Sequence, residues 1–203
     1  MTDKRDVAAF DGRARSYEEG WLGRFHHEVA DRTVAIAESV SSQPNRVLDV
    51  GCGTGYLLRC LADRHSSASA FVGVDASPAM VEVARSNSSD KRIEVREAAA
   101  ERLPFRDGEF DLIGSTTSFD HWSDQAAGLR ECARVLAPEG ALVVADLFSP
   151  LLVTTLVRSR RNKARTRAKA ERLIDGAGLQ LDSWHRVHTL IQAFVVRPRR
   201  AAG

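Results

Sequence analysis

The sequence is short of several things, and each shortage removes a class of protein. Cysteine occurs three times, at Cys52, Cys60 and Cys132, and never as a Cys-x-x-Cys pair. An odd, scattered set supports neither a disulfide framework nor a zinc site, so no metal is expected. No apolar run approaches the roughly 20 residues that cross a bilayer. The opening segment MTDKRDVAAF lacks the apolar core of a signal peptide. Neither sign of charge dominates: 29 Lys and Arg against 27 Asp and Glu leave a net charge of +2, which makes no global case for nucleic-acid binding. No internal repeat is visible. What remains, at 43% hydrophobic and 28% charged over 203 residues, reads as a reduced, cytoplasmic protein with one well-buried domain.

The order of elements narrows the fold. The stretch to about Tyr17 is a polar, partly mobile arm. Phe25, Val29, Ile36 and Val40 recur at near-helical spacing until Ser41–Asn45 ends the helix. Short apolar runs then alternate with helical segments. Strands are expected at 46–50, 71–74, 92–96, 110–114 and 141–145, with helices at about 56–64, 78–86, 124–136 and 164–177. Ser77-Pro78 supplies an N-cap followed by a proline at the first helical position. Two last strands, near 181–187 and 190–196, are joined by so short a link at His188-Thr189 that they must be antiparallel. The pattern predicts an α/β, Rossmann-like, doubly wound sheet of seven strands, mostly parallel, with one antiparallel strand near the C-terminus. Residues 1–40 read as an N-terminal helical lid segment and 41–203 as the ligand-binding domain.

The first strand runs into Asp49-Val-Gly51-Cys52-Gly53-Thr-Gly55. Glycines let the chain turn tightly and let a ligand approach the backbone, and the helix behind them begins with unpaired N–H groups. A plain tight turn is the bland reading. The dinucleotide fingerprint G-x-G-x-x-G would need glycine at position 56, which is Tyr56. Asp49, two residues before the first glycine, is badly placed beside a pyrophosphate and well placed for a ligand with an ammonium group. S-adenosylmethionine carries an ammonium and a sulfonium and no phosphate. A nicotinamide-dependent oxidoreductase is disfavoured on the same two residues.

Taken with two further stretches, the loop resembles class I S-adenosylmethionine-dependent methyltransferases, in the small-molecule and quinone-biosynthesis branch (methyltransferase type 11). The second stretch is Phe71-Val-Gly-Val-Asp75-Ala76-Ser-Pro-Ala-Met80, and the third runs from Ala98 through Ala100, Glu101 and Phe105 to Asp111. The resemblance covers roughly 47–140 well and the flanks weakly. It implies S-adenosyl-L-methionine as cofactor, held by Asp49, Gly51, Cys52, Gly53 and Gly55. Asp75 would take both ribose hydroxyls, and Ala76 and Met80 would flank the adenine. Ala99 stands where the family usually has an Asp facing the adenine edge, so Ala100 and Glu101 must serve there. The N-terminal Phe10-Asp-x-x-Ala-x-x-Tyr17 matches an element that folds over the cofactor, which makes Phe10 and Tyr17 candidate lid residues.

Methyl transfer is an in-line displacement on an activated donor, so the protein chiefly positions the nucleophile and excludes water. The segment Gly114–Asp124 lines the acceptor pocket in the family. Within it, His121 is the candidate base or orienting group and Asp120 its candidate partner. Both also have a bland reading as loop structure. The acceptor is expected to be a small molecule of a phenolic, quinone-like or lipidic kind. From Arg158 to Arg172 cations cluster, after an apolar run at 147–157. The cluster reads as a solvated helix face, as a site for peripheral membrane contact, or as a nucleic-acid surface. Nucleic-acid methylation is disfavoured: Ser115–Asp120 contains no proline where an Asn/Asp-Pro-Pro-aromatic element would stand, and there is no Pro-Cys nucleophile. A non-catalytic S-adenosylmethionine sensor remains the alternative from another class.

Overall fold

A computed structural model describes residues 4–148, 163 and 166–199. Among them the apolar runs become β1 (Arg46–Val50), β2 (Ala70–Asp75), β3 (Ile93–Glu97), β4 (Phe110–Thr116), β5 (Leu136–Leu147), β6 (Leu179–Arg186) and β7 (Ile191–Pro198). They form one sheet in the order β3-β2-β1-β4-β5-β7-β6. β1 to β5 pair in parallel, and β7 runs antiparallel between β5 and β6. The expected mixed sheet is therefore found. Its order reverses between β1 and β4, so the crevice of a doubly wound sheet opens above the ends of those strands.

The helices are α1 (Lys4–Asp11), α2 (Gly20–Val40), α3 (Tyr56–Arg64), α4 (Pro78–Ser86), α5 (Gln125–Val135) and α6 (Arg167–Gly176). Strand alternation sends side chains to opposite faces. Val47 packs with Val29, Val34, Leu58 and Leu61 on the α2–α3 side. Leu48 and Val50 pack with Leu129, Ile174 and Phe194 on the α5–α6 side. Asp49, between them, falls on the α2–α3 side at the mouth end of the strand. The start of β1 is tied to β4 by Asp111, whose carboxylate accepts from the Asn45 and Arg46 N–H groups at 2.9 Å each.

Two elements differ from the expectation. The N-terminal arm contains a helix, α1, because Val7 and Phe10 have the crevice to cover and Asp11 accepts from Ser77 Oγ at 2.5 Å on the first turn of α4. β5 begins at Leu136 instead of 141: Leu136 pairs with Phe110, and a bulge then absorbs 137–140 before Ala141 meets Leu112. The apolar run 147–157 and the basic stretch lie, apart from Leu147, Phe148, Lys163 and residues 166–172, outside the described residues. No helix among the described residues is long and apolar enough to cross a membrane.

Phe194 is fully buried, with Phe119, Phe148 and Trp184 rings 5.6–5.9 Å away. Truncating it leaves a cavity in a region that cannot collapse around one ring. Phe194→Ala should lower unfolding free energy by about 3–5 kcal/mol, read from urea melts; a loss under about 1 kcal/mol would contradict this packing.

Candidate functional site

The glycine loop that follows β1 folds against the end of the neighbouring strand, β2. Gly51 and Cys52 N–H groups both donate to Val74 O, at 2.8 and 2.9 Å. Gly53 N–H donates to Asp75 Oδ2 at 2.9 Å, and Gly55 N–H to Cys52 O at 2.8 Å. A phosphate loop works by presenting such donors to an anion. Here four of them are consumed internally, and the groups that face the ligand side are carboxylates. Gly51 has φ +74°, and a β-carbon on it would lie 1.7 Å from Ser118 Oγ, so only glycine lets the β4–α5 loop close against it.

Two cavities meet at this loop. The first, about 700 Å³ to its open mouth, is lined by the ends of β2, β3 and β4 and capped by α1. It gathers Asp75, Ala76, Met80, Ala100, Glu101, Gly51, Gly53, Tyr17 and His121 from the sequence reading. The second, about 430 Å³, lies between the loop and α2 and takes in Tyr17, Gly51, Cys52 and Gly53. Asp49, Gly55 and Asp120 line neither cavity. Gly55 is turned toward Ala84 of α4, and Asp49 and Asp120 are buried behind the surfaces that carry the site.

Asp49 is 1% exposed and neither carboxyl oxygen has a hydrogen-bond partner among the described residues. Burial, with the Asp75 charge adding to it, pushes its pKa up to about 8. Asp75 accepts from Ser77 N–H as well as from Gly53 N–H; burial still raises its carboxyl above the ordinary range, against those two hydrogen bonds. One unpartnered acid, Asp49, and a second buried acid, Asp75, at the ends of adjacent strands make a site that favours positive charge or hydroxyl donors. Glu101 reaches the cavity edge and accepts from Asp124 N–H at 3.0 Å, which ties the β3 loop to the start of α5.

The β4–α5 loop carries the candidate chemistry. His121 borders the first cavity with its ring edge-on to Phe10, centroids 4.9 Å apart. Asp120 donates its N–H to Asp146 Oδ2 at 3.0 Å, and both residues are buried. Burial raises the Asp146 carboxyl to about 6, against the hydrogen bonds it receives. The Asp120 backbone, fixed on Asp146, sets where the adjacent His121 stands.

Sequence reasoning missed the support beneath the lid. Tyr17 O–H lies 2.8 Å from His26 Nδ1. Glu18 accepts from Arg59 at 3.1 Å and sits 3.5 Å from His27, whose ring stacks on Tyr56 at 3.7 Å. Burial works against the Glu18 charge, yet hydrogen bonds from Thr54 and Arg59 hold its carboxyl below the ordinary range. Ser118, which accepts from Trp122 Nε1 at 3.1 Å, and Thr116 and Thr117 also line the site. Tyr17 and the segment 116–118 fall within stretches the sequence reading singled out; Glu18, His26, His27 and Arg59 carry no motif.

A carboxyl whose folded pKa is raised binds its proton in the folded state at pH values where the unfolded chain has lost it. For Asp49 that window runs from about 4 to about 8, and stability falls as pH rises through it. Thermal melts of the ligand-free Asp49→Asn protein should therefore fall less from pH 5 to 8 than those of the wild type. Equal slopes would mean that Asp49 is ordinary.

Comparison with known proteins agrees with this geometry. Residues 48–144 match the family model described as a methyltransferase domain. The chain is 38% identical over 150 residues to a malonyl-[acyl-carrier protein] O-methyltransferase of Halorhodospira halophila, covering 73% of this chain and 50% of that protein. It is 39% identical over 128 residues to a demethylmenaquinone methyltransferase of Thermus thermophilus, covering 62% and 58%. The chain thus spans about half to three-fifths of the length of these two relatives. A SAM-dependent methyltransferase structure from Aquifex aeolicus superposes with a TM-score of 0.74 at 18% identity, over 92% of this chain and 97% of that one, and shares the fold. Residues 48–144 thus match a methyltransferase domain, and the chain is similar over that stretch to methyltransferases that act on different acceptors.

Proposed function

We propose that the protein transfers a methyl group from S-adenosyl-L-methionine to a small-molecule acceptor. The observation that carries this reading is the pair of acids at the ends of β1 and β2, beside a glycine loop whose donors are already used. Such a site suits a cationic nucleoside and repels a pyrophosphate. The residues fit the cofactor part by part. Asp75 has oxygens placed for two vicinal hydroxyls. Met80 and Ala98–Glu101 form a flat, mostly apolar slot for a purine. The unpartnered Asp49 carboxylate sits under the loop, where its charge offsets that of a ligand above. When bound, the cofactor supplies a methyl group already activated on sulfur.

The chain's own residues do the rest. Residues 1–40 form the cover and 41–203 the binding domain. α2 is anchored in the core through Val29, Ala30, Val34 and Ala37, which leaves α1 and residues 12–19 as the moving part. Phe10 and Tyr17 exclude water from the reacting centre. His121 orients the acceptor or takes its proton, and Asp120 fixes His121 through its backbone bond to Asp146. The named relatives act on a carrier-bound malonyl group and on demethylmenaquinone; an acceptor with a phenolic, quinone-like or lipidic body fits the apolar lining of Val7, Phe10 and Trp122.

Calorimetry tests the cofactor assignment. S-adenosylmethionine and S-adenosylhomocysteine should bind and NAD should not. Asp75→Ala should weaken binding about 100-fold, the equivalent of about 3 kcal/mol for two hydrogen bonds to a charged group. NAD binding with no S-adenosylmethionine binding would reverse the reading. Cofactor should also slow hydrogen exchange in residues 4–17 relative to the free protein, and unchanged exchange there would remove the lid.

A further inference from the structure

We propose that the Tyr17 hydroxyl, backed by His26, takes the proton from the acceptor, and that the acceptor therefore carries an acidic O–H of the phenol or enol kind. This rests on the methyltransferase reading and adds to it a proton route separate from His121. Five residues line both cavities: Tyr17, Gly51, Gly53, Thr116 and Thr117. Of these, Tyr17 alone has an ionisable side chain. A ligand with a nucleoside at one end and an amino acid at the other, laid across the two cavities, has its joining sulfur at that shared boundary. A second substrate must bring its reacting atom to the same place. His121 borders the first cavity only and His26 the second only.

Three polar side chains converge at the boundary. Tyr17 O–H is 2.8 Å from His26 Nδ1, and Thr117 Oγ1 is 3.5 Å from the same nitrogen. Thr117 is held at φ +48°, a conformation that a β-branched residue adopts at a cost of about 1–3 kcal/mol. Its N–H is fixed on Ala145 O at 2.8 Å, so the sheet itself imposes that conformation.

The protonation states suit a relay. Burial pushes the Tyr17 hydroxyl up to about 12, so it keeps its proton and donates to His26. Burial lowers the His26 pKa, and the nearby His27, Arg13 and His121 lower it further, so the ring is neutral and can accept. In the step, the acceptor O–H bond breaks and its proton goes to the Tyr17 oxygen. The Tyr17 proton passes to His26 Nδ1. Two O–H bonds break, one O–H and one N–H bond form, and the electron pair stays on the acceptor oxygen. The products are an imidazolium and an acceptor anion; the imidazolium later returns its proton to solvent. Protonation of His26 at low pH stops the relay.

The test uses the full chain saturated with S-adenosylhomocysteine, checked by calorimetry for each variant, and 4-nitrophenol as the probe, whose anion absorbs visible light. About one pH unit below the probe's own pKa, where the free probe is about one-tenth anion, the bound probe should be about half anion with its proton held on His26, and the signal should fade at lower pH, where solvent has already protonated His26. Tyr17→Phe removes the relay atom. His26→Gln keeps a hydrogen-bond acceptor for the tyrosine but cannot take a proton, so a merely structural role would survive it. Each variant should cut the bound anion-to-phenol ratio about tenfold, equal to one pKa unit. No anion enrichment in the wild type, or equal enrichment in both variants, overturns the inference. If S-adenosylhomocysteine itself does not bind, the methyltransferase reading falls and takes this one with it.

Discussion

Asp49 is a carboxylate buried beneath a glycine loop with neither oxygen hydrogen-bonded, and the site is arranged around that deficit. A buried acid without a partner is costly, and the protein meets the cost by holding the group protonated or by placing positive charge nearby. In the loop above it, the N–H groups of Gly51, Cys52, Gly53 and Gly55 already donate to Val74, Asp75 and Cys52. With its pKa pushed up to about 8, the group keeps its proton at neutral pH in the ligand-free protein, and on the proposed reading a bound cation would favour its ionised form where a phosphate would not.

The rest of the architecture delivers residues to that point. Sheet order brings the ends of β1, β2 and β4 together, so that Asp75 and the Thr116–Ser118 segment flank the loop. Cover comes from the N-terminal residues, fixed at three places: Asp11 on Ser77, Tyr17 on His26, and Glu18 on Arg59. Each partner stands on an element that also frames a cavity. The buried aromatic group of Phe119, Phe148, Trp184 and Phe194 gives the β4–α5 loop a rigid floor.

How much of this was readable from sequence follows from how local each signal is. The strands, the glycine loop, Asp75 and the antiparallel finish depend on short-range patterning and were legible. The bounds of α1 were not: its eight residues are too few to show a period, and the crevice that Val7 and Phe10 cover is built by residues far along the chain. The early start of β5 was hidden because Pro138 and Gly140 read as a turn, whereas a bulge carries them inside the strand. His26, Thr117 and Asp146 acquire meaning only through distance, since their partners lie 9, 91 and 26 residues away. Asp49 and Asp120 were named as ligand and catalytic residues on position alone. The structure buries both, and neither lines a cavity.

A crystal structure with S-adenosylhomocysteine tests the central claim most directly. The account predicts the adenosine between Asp75, Met80 and Ala98–Glu101, with both ribose hydroxyls on Asp75, and the amino-acid end over the glycine loop toward α2. A ligand bound elsewhere, or one whose carboxylate rather than ammonium faces the Asp49 end of β1, would contradict it.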